Sequence, residues 1–347
     1  MSYNELRKDY LLDRWVVIAT ERARRPVDFI KQRTPQPQNP SNCPLCPNNE
    51  HMTPPATLVY LPTSNGEIKR TKDEGDFRHK NWLIRSIPNL YPAFTPLKDS
   101  NIKTEIPESD NFGYAIGYHE VLIESPNHND HPSNANLAQI ELMINAYKDR
   151  LEDLSKKARV EYVQIFRNHG LEAGASQSHA HSQIITTPFT PTNVCQELAT
   201  SKKYWDDHKQ CLICDIIKSE VESPRYVIDN DHFIVITPYA SVHPMEFWII
   251  PKRHTPNFLD ITQSETEALA KILKSSLKAL KDLINDPPYN YGFHLAINKE
   301  SQNYYHWHLE VYPTLAIWAG FEKSTGMYIN TVKPETAALE LKKALKQ

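Results

Sequence analysis

The run Ser178-His179-Ala180-His181-Ser182-Gln183 in the first half of the chain has a counterpart in the second, His306-Trp307-His308-Leu309-Glu310. Working outward from each gives the same order of features. Ahead of the first lie Cys43-Pro44-Leu45-Cys46, then Glu120-Val121-Leu122-Ile123-Glu124-Ser125-Pro126-Asn127-His128, a long amphipathic stretch and the apolar run Val160 to Phe166. Ahead of the second lie Cys211-Leu212-Ile213-Cys214, then Glu246-Phe247-Trp248-Ile249-Ile250-Pro251-Lys252-Arg253-His254, another amphipathic stretch and the run Tyr291 to Ile297. Glu120 precedes His128 by 8 positions, as Glu246 precedes His254, and His128 to His179 spans 51 positions against 52 for His254 to His306. Chance supplies one such match; the whole order twice marks a duplicated unit.

Each unit has the same predicted elements. Leu137, Ile140, Ile144, Tyr147, Leu151 and Leu154 recur at steps of three and four, one face of a helix, and Leu269, Leu273, Leu277, Leu280 and Ile284 do the same. Thr262 and Glu265 offer a capping box before the second helix, and Pro287-Pro288 closes it. Val121 to Ile123, Phe247 to Ile250, Tyr162 to Phe166 and Phe293 to Ile297 are short and rich in β-branched and aromatic residues, so they read as strands. The expected class is α+β: two tandem repeats, residues 1–192 and 205–347, with antiparallel sheet and helices packed on one face. Pro188 to Gln210 reads as a connector, Arg33 to Asn42 as a Pro-rich loop, and Pro334 as the first turn of a closing helix.

The 347 residues suffice for one large or two ordinary domains, and a net charge of −3 without a block of like charges gives no reason to expect a nucleic-acid partner. The charged N-terminus lacks the apolar run of a signal peptide, and no stretch is apolar enough to span a bilayer. A cytoplasmic location without membrane association is expected. In a reducing compartment Cys-x-x-Cys reads as metal or redox chemistry before structural disulfide. Two such pairs account for four of the five cysteines; the lone Cys195 carries no assigned role.

Two thiolates on one knuckle, joined by two histidines from distant strands, make a tetrahedral Cys2His2 zinc site. The candidates are Cys43, Cys46, His128 and His179 in the first unit, and Cys211, Cys214, His254 and His306 in the second. The plainer alternative is buried thiols and core histidines; the repetition favours metal in both units. Four protein ligands saturate zinc, so two structural rather than catalytic ions are expected. In an extended strand residues i and i+2 share a face, so His179, His181 and Gln183 line one side. The preceding loop, Asn168 to Ser178, has glycines and serines suited to surrounding an anion with N–H groups and hydroxyls. Together they suggest a phosphate pocket.

His179-x-His181-x-Gln183, Gly174-x-Ser176, Cys43-x-x-Cys46 and Ser125-Pro126-Asn127-His128 resemble galactose-1-phosphate uridylyltransferase, the two-repeat transferase branch of the histidine-triad superfamily. Arg22, Arg25 and Asn168 match the family's basic segment and asparagine, and Gly320-Phe321-Glu322 its hexose-contacting segment. The resemblance implies ping-pong transfer of a nucleoside monophosphate from a nucleotide sugar such as UDP-glucose to a hexose 1-phosphate such as galactose 1-phosphate. His181 is then the nucleophile, Gln183 and Ser176 assist it, and Arg22, Arg25, Asn89, Asn168, Gly174, His308 and Glu322 contact substrate. A homodimer is expected on the same ground. An amide at Gln183 cannot titrate, which favours transfer to an anionic phosphate over hydrolysis. The Gly174-Ala175-Ser176 loop, the Ser178 to Gln183 run, Phe321 and the second cysteine pair resemble the ADP-glucose phosphorylase branch, so adenylyl transfer to phosphate is the alternative. A zinc hydrolase would need an open metal position that the cysteines fill, and a zinc-knuckle module for nucleic acid would need a basic stripe.

Overall fold

The duplication folds into one continuous sheet. The structure, a computed structural model, describes residues 3–19, 24–31, 40–97, 113–296 and 299–346. Its strands are β1 (Glu5–Lys8), β2 (Trp15–Ile18), β3 (Leu58–Pro62), β4 (Ile68–Thr71), β5 (Ile84–Pro88), β6 (His119–Ile123), β7 (Tyr162–His169), β8 (His181–Thr187), β9 (Tyr226–Asp229), β10 (Phe233–Ile236), β11 (Phe247–Pro251), β12 (Tyr289–His294), β13 (His308–Pro313) and β14 (Tyr328–Asn330). Eleven of them pair in the order β4-β3-β5-β6-β8-β7-β12-β13-β11-β10-β9, antiparallel throughout. The two units meet at the seam between β7 and β12, where Asn168 pairs with Asn290 and Phe166 with Gly292. Outward from that seam, β7-β8-β6-β5-β3 on one side mirrors β12-β13-β11-β10-β9 on the other. The antiparallel α+β reading holds, with the two sheet halves fused.

The long helices are where the periodicity puts them: α1 (Leu137–Ser155) and, later in the chain, α4 (Gln263–Ile284). The Asn136 side chain caps the first through Gln139 N–H, and Thr262 with Glu265 forms the predicted capping box on the second. Asn285, in the left-handed region at φ 58°, stops α4 before the two prolines. Both helices press their apolar stripes on one sheet face, with Leu269, Leu273, Leu277, Leu280 and Ile284 at most 1% exposed. Burying each such side chain contributes about 1.5–3 kcal/mol. The closing helix, α6 (Pro334–Ala344), starts at the expected proline and joins this layer.

Two features differ from the sequence reading. The polar connector is mostly a helix, α2 (Thr192–His208), whose buried residues Val194, Glu197 and Ser201 include two polar ones, so no apolar stripe announces it. It leads into α3 (Leu212–Glu220), whose Ile213, Ile216 and Ile217 cover Ile234, Ile236, Trp248 and Ile250 on the opposite sheet face. The second unit is therefore covered on both faces. The strand placed at 293–297 begins earlier, at Tyr289, and ends at His294. Most of the Arg33 loop lies outside the described residues. A short helix, α5 (Gly320–Thr325), packs near a small sheet of β1, β2 and β14. Among the described residues no helix is long and apolar enough to cross a membrane.

Candidate active site

The metal candidates converge as two clusters. The ligand atoms of Cys43, Cys46, His128 and His179 lie within 4.8 Å of one another, as do those of Cys211, Cys214, His254 and His306. In the first, Cys46 Sγ is 3.3 Å from His128 Nδ1 and 3.4 Å from His179 Nδ1, and Cys43 Sγ is 3.7 Å from His179 Nδ1. In the second the matching sulfur–nitrogen distances are 3.5, 3.5 and 3.9 Å. A zinc tetrahedron with sulfur at about 2.3 Å and nitrogen at about 2.05 Å has edges near 3.6 Å, so both donor sets fit the ion. Every candidate ligand ring is oriented through its far nitrogen. His179 Nε2 faces the Ser125 carbonyl at 2.8 Å, His128 Nε2 the Ser178 hydroxyl at 2.8 Å, His306 Nε2 the Pro251 carbonyl at 2.9 Å, and His254 Nε2 the Gln302 carbonyl at 2.9 Å. A proton on Nε2 leaves each Nδ1 lone pair for metal. Burial, with Cys43 beside it, pushes the Cys46 thiol up to about 12; a bound cation reverses that balance.

His181 opens β8, two residues after the candidate ligand His179. Ser182 and Ile184 turn toward α1, Ser182 bonding Tyr147, so His181 and Gln183 turn to the opposite face. His181 Nδ1 lies 2.7 Å from the His179 carbonyl, which fixes the tautomer with Nε2 unprotonated. The ring is 7% exposed, and burial lowers its pKa, keeping it neutral near pH 7. Continuing the β7–β8 register places Asn168 beside it. Asn168 Oδ1 accepts from Asn290 Nδ2 at 2.8 Å, and the same nitrogen donates to the Ala173 carbonyl at 2.7 Å. The second unit thus holds the glycine loop of the first. Gly170 and Gly174 sit at φ +83° and +88°, and a Cβ on Gly170 would meet Pro288 at 2.9 Å, so the loop depends on both glycines. Ser176 is exposed at its rim. Gln183 Oε1 is 2.8 Å from His119 Nε2, with Asn89 Nδ2 3.1 Å from the same ring nitrogen.

Behind β8 runs a buried polar network without a counterpart among the described residues of the second unit. Arg167, 1% exposed, places Nε 3.0 Å from both Glu124 oxygens, donates to Tyr289 OH at 3.2 Å and meets His131 Nδ1 at 2.7 Å. Glu124 in turn accepts from Ser182. Arg167→Met should strand a buried carboxylate and cost about 3–5 kcal/mol, measurable as a lowered urea midpoint at unchanged slope; a loss under about 1 kcal/mol would show that the network is relieved by water.

The position matching His181 is closed off. His308 is 0% and Glu310 4% exposed; His308 Nε2 donates to Glu310 at 3.0 Å. Glu197 from α2 meets His294 at 2.7 Å, and Glu197, His294 and His308 form a third group of convergent donors. His119, Glu197, His294 and Asn290 escaped the sequence reading because none belongs to a repeated motif. The Glu322 carboxylate accepts from Ala319 N–H at 3.0 Å in the exposed first turn of α5. Among the described residues no hydrogen bond or ion pair joins it to β8. Arg25 is exposed, its N–H donating to Asp28 at 2.7 Å, and Arg22 lies outside the described residues.

Comparison with known proteins agrees over nearly the full length. The model for the galactose-1-phosphate uridyl transferase N-terminal domain matches residues 71–191, and that for the C-terminal domain residues 197–319. ADP-glucose phosphorylase of Arabidopsis thaliana is 37% identical, over 96% of this chain and 91% of its own. Galactose-1-phosphate uridylyltransferase of Thermotoga maritima is 28% identical, over 97% and 98%. The crystal structure of an Arabidopsis thaliana ADP-glucose phosphorylase with bound ADP-glucose superposes with a TM-score of 0.80 at 32% identity, covering 98% of this chain and 99% of that one.

Proposed function

Because this chain belongs to the galactose-1-phosphate uridyl transferase family, we propose that it is a nucleotidyltransferase that moves an adenylyl group from an ADP-sugar to phosphate through His181. The observation that carries this is the free Nε2 of His181, its tautomer set by the His179 carbonyl, on the half-open face that Gln183, Asn168 and Asn89 share. His181 Nε2 attacks the α-phosphorus, a P–N bond forms, and the P–O bond to the sugar phosphate breaks. The sugar 1-phosphate leaves with both electrons of that bond. An oxygen of the acceptor phosphate then attacks the same phosphorus, breaking the P–N bond and returning a neutral imidazole. No proton has to move at phosphorus, since leaving group and acceptor are both anions. The Gln183 amide donates to a non-bridging oxygen, the Gly174–Ser176 loop adds donors, and Arg22 and Arg25 offset the diphosphate charge. Asn89 and Asn168 contact the nucleotide, with Glu322 serving the sugar end in an assembled homodimer; His308, buried against Glu310, takes no part in binding.

The choice of adenine is supported by the 37% identity to an ADP-glucose phosphorylase against 28% to a uridylyltransferase, and by the second cysteine pair. The uridylyl reading, UDP-glucose to galactose 1-phosphate, keeps its support from both family models and stands second. Zinc in both Cys2His2 clusters would pin the Cys43 loop and α3 to the sheet without touching phosphorus, its full coordination leaving no position for substrate.

Incubation with ADP-glucose and UDP-glucose separately, followed by intact-mass measurement, tests the choice. An adenylyl adduct from ADP-glucose, discharged by inorganic phosphate, is the expected result. A uridylyl adduct discharged by galactose 1-phosphate, with none from ADP-glucose, would put the second reading first.

A further inference from the structure

The geometry points to His119 as a positioning residue that fixes which end of the Gln183 amide faces the transferred phosphoryl group; this rests on Gln183 acting there as a donor. His119 starts β6, the neighbour of β8, where Val121 pairs with Gln183 and His119 with Ile185. His119 is thus the diagonal neighbour of Gln183 on the same sheet face, within reach of a long side chain. Its ring is 9% exposed.

The direction of each bond follows from a single unambiguous donor. The Ala93 backbone N–H points at His119 Nδ1 from 3.0 Å. A backbone N–H only donates, so Nδ1 holds a lone pair and the proton of the neutral ring sits on Nε2. Burial lowers the pKa of this histidine, so neutral is its form near pH 7. Nε2–H lies 2.8 Å from Gln183 Oε1 and donates to it. The amide oxygen is occupied, and the NH2 end, on the other side of the amide carbon, is turned away from His119. Asn89 Nδ2, 3.1 Å from the same Nε2, meets a protonated nitrogen, while its Oδ1 accepts from Tyr91 N–H at 2.9 Å.

An unrestrained glutamine presents either end at similar cost, and its carbonyl oxygen repels a phosphate oxygen. Holding the NH2 end forward before substrate arrives removes that reorganisation from the transfer step. The chain Ala93 to His119 to Gln183 has no counterpart at Glu310, whose carboxylate has no donor end to aim.

His119→Ala should lower the rate constant for adduct formation roughly 10- to 100-fold, somewhat less than the ~10²–10³ lost when such a donor is deleted outright, with little change in KM for the nucleotide sugar. His119→Asn, which keeps an N–H donor, should recover part of the rate. Long-range proton–nitrogen spectra of the wild-type protein should show His119 as the Nε2–H tautomer. An Nδ1–H tautomer, or His119→Ala transferring at the wild-type rate, would overturn the assignment. So would a loss that appears only in KM or that His119→Asn fails to relieve while its unfolding midpoint is normal. If the wild-type protein forms no adduct with any nucleotide sugar, the transferase reading itself fails, whereas the tautomer measurement judges His119 independently of it.

Discussion

Replacing His181 by asparagine is expected to abolish the covalent nucleotide adduct, with transfer falling by at least ~10⁴-fold, as when a nucleophile is removed from a ping-pong enzyme. Asparagine is chosen for what it retains. Its amide can still donate toward the His179 carbonyl that His181 Nδ1 faces at 2.7 Å, so β8 and the ligand His179 have no reason to shift. What it lacks is a nitrogen lone pair able to bond phosphorus. Burial already keeps His181 neutral by lowering its pKa, so the wild-type ring needs no base to activate it. The measurement is intact mass after incubation with ADP-glucose, alongside metal content and unfolding midpoint. An adduct that persists in the variant would remove His181 as nucleophile. Loss of metal together with the adduct would show that the substitution acted through the Cys43 cluster.

The repeat made the framework legible. Two Cys-x-x-Cys knuckles, the leading histidines of two His-x-His strands, and His128 and His254 eight positions after Glu120 and Glu246 identified all eight residues that form the Cys2His2 clusters, because metal ligation demands particular side chains at particular separations. The helices were legible for a related reason: Leu269, Leu273, Leu277 and Leu280 must recur to cover a sheet. The missed residues obey no such period. Glu197 is a carboxylate in a polar helix, and its burial beside His294 and Tyr305 depends on where α2 lands. Asn290 reaches Asn168 only because β7 and β12 pair across the two units, and a periodic pattern does not state which edges meet. His119 gains its place from the diagonal of an antiparallel pair. Sequence spacing therefore reached the residues whose partners are fixed by local geometry, and stopped at those whose partners are chosen by strand order.

The two metal clusters, alike in ligands, differ in what hangs on them, so their separate loss should have different results. Cys46→Ser and Cys214→Ser are each expected to remove one equivalent of zinc and to lower the unfolding midpoint by roughly 10 °C, since a structural zinc contributes folding free energy directly. Their effects on transfer should diverge. On the proposed reading His179 would ligate the first ion through Nδ1, and its carbonyl accepts the His181 Nδ1–H, so one residue would join metal to nucleophile. Without the ion, that carbonyl loses its anchor and the His181 ring loses its orientation, a loss expected at about 10²-fold by comparison with displaced catalytic groups. The second ion would hold His306, two residues from His308, and His308 is bonded to Glu310 within a closed cluster. Cys214→Ser should therefore leave the adduct rate of the remaining folded protein within a few-fold of wild type. Elemental analysis of protein purified without chelators, paired with burst kinetics at a temperature below both midpoints, separates the cases. Protein that carries no zinc would end the metal assignment. Equal slowing by the two substitutions would show that the clusters support the fold as one unit and that His179 has no special tie to the reaction.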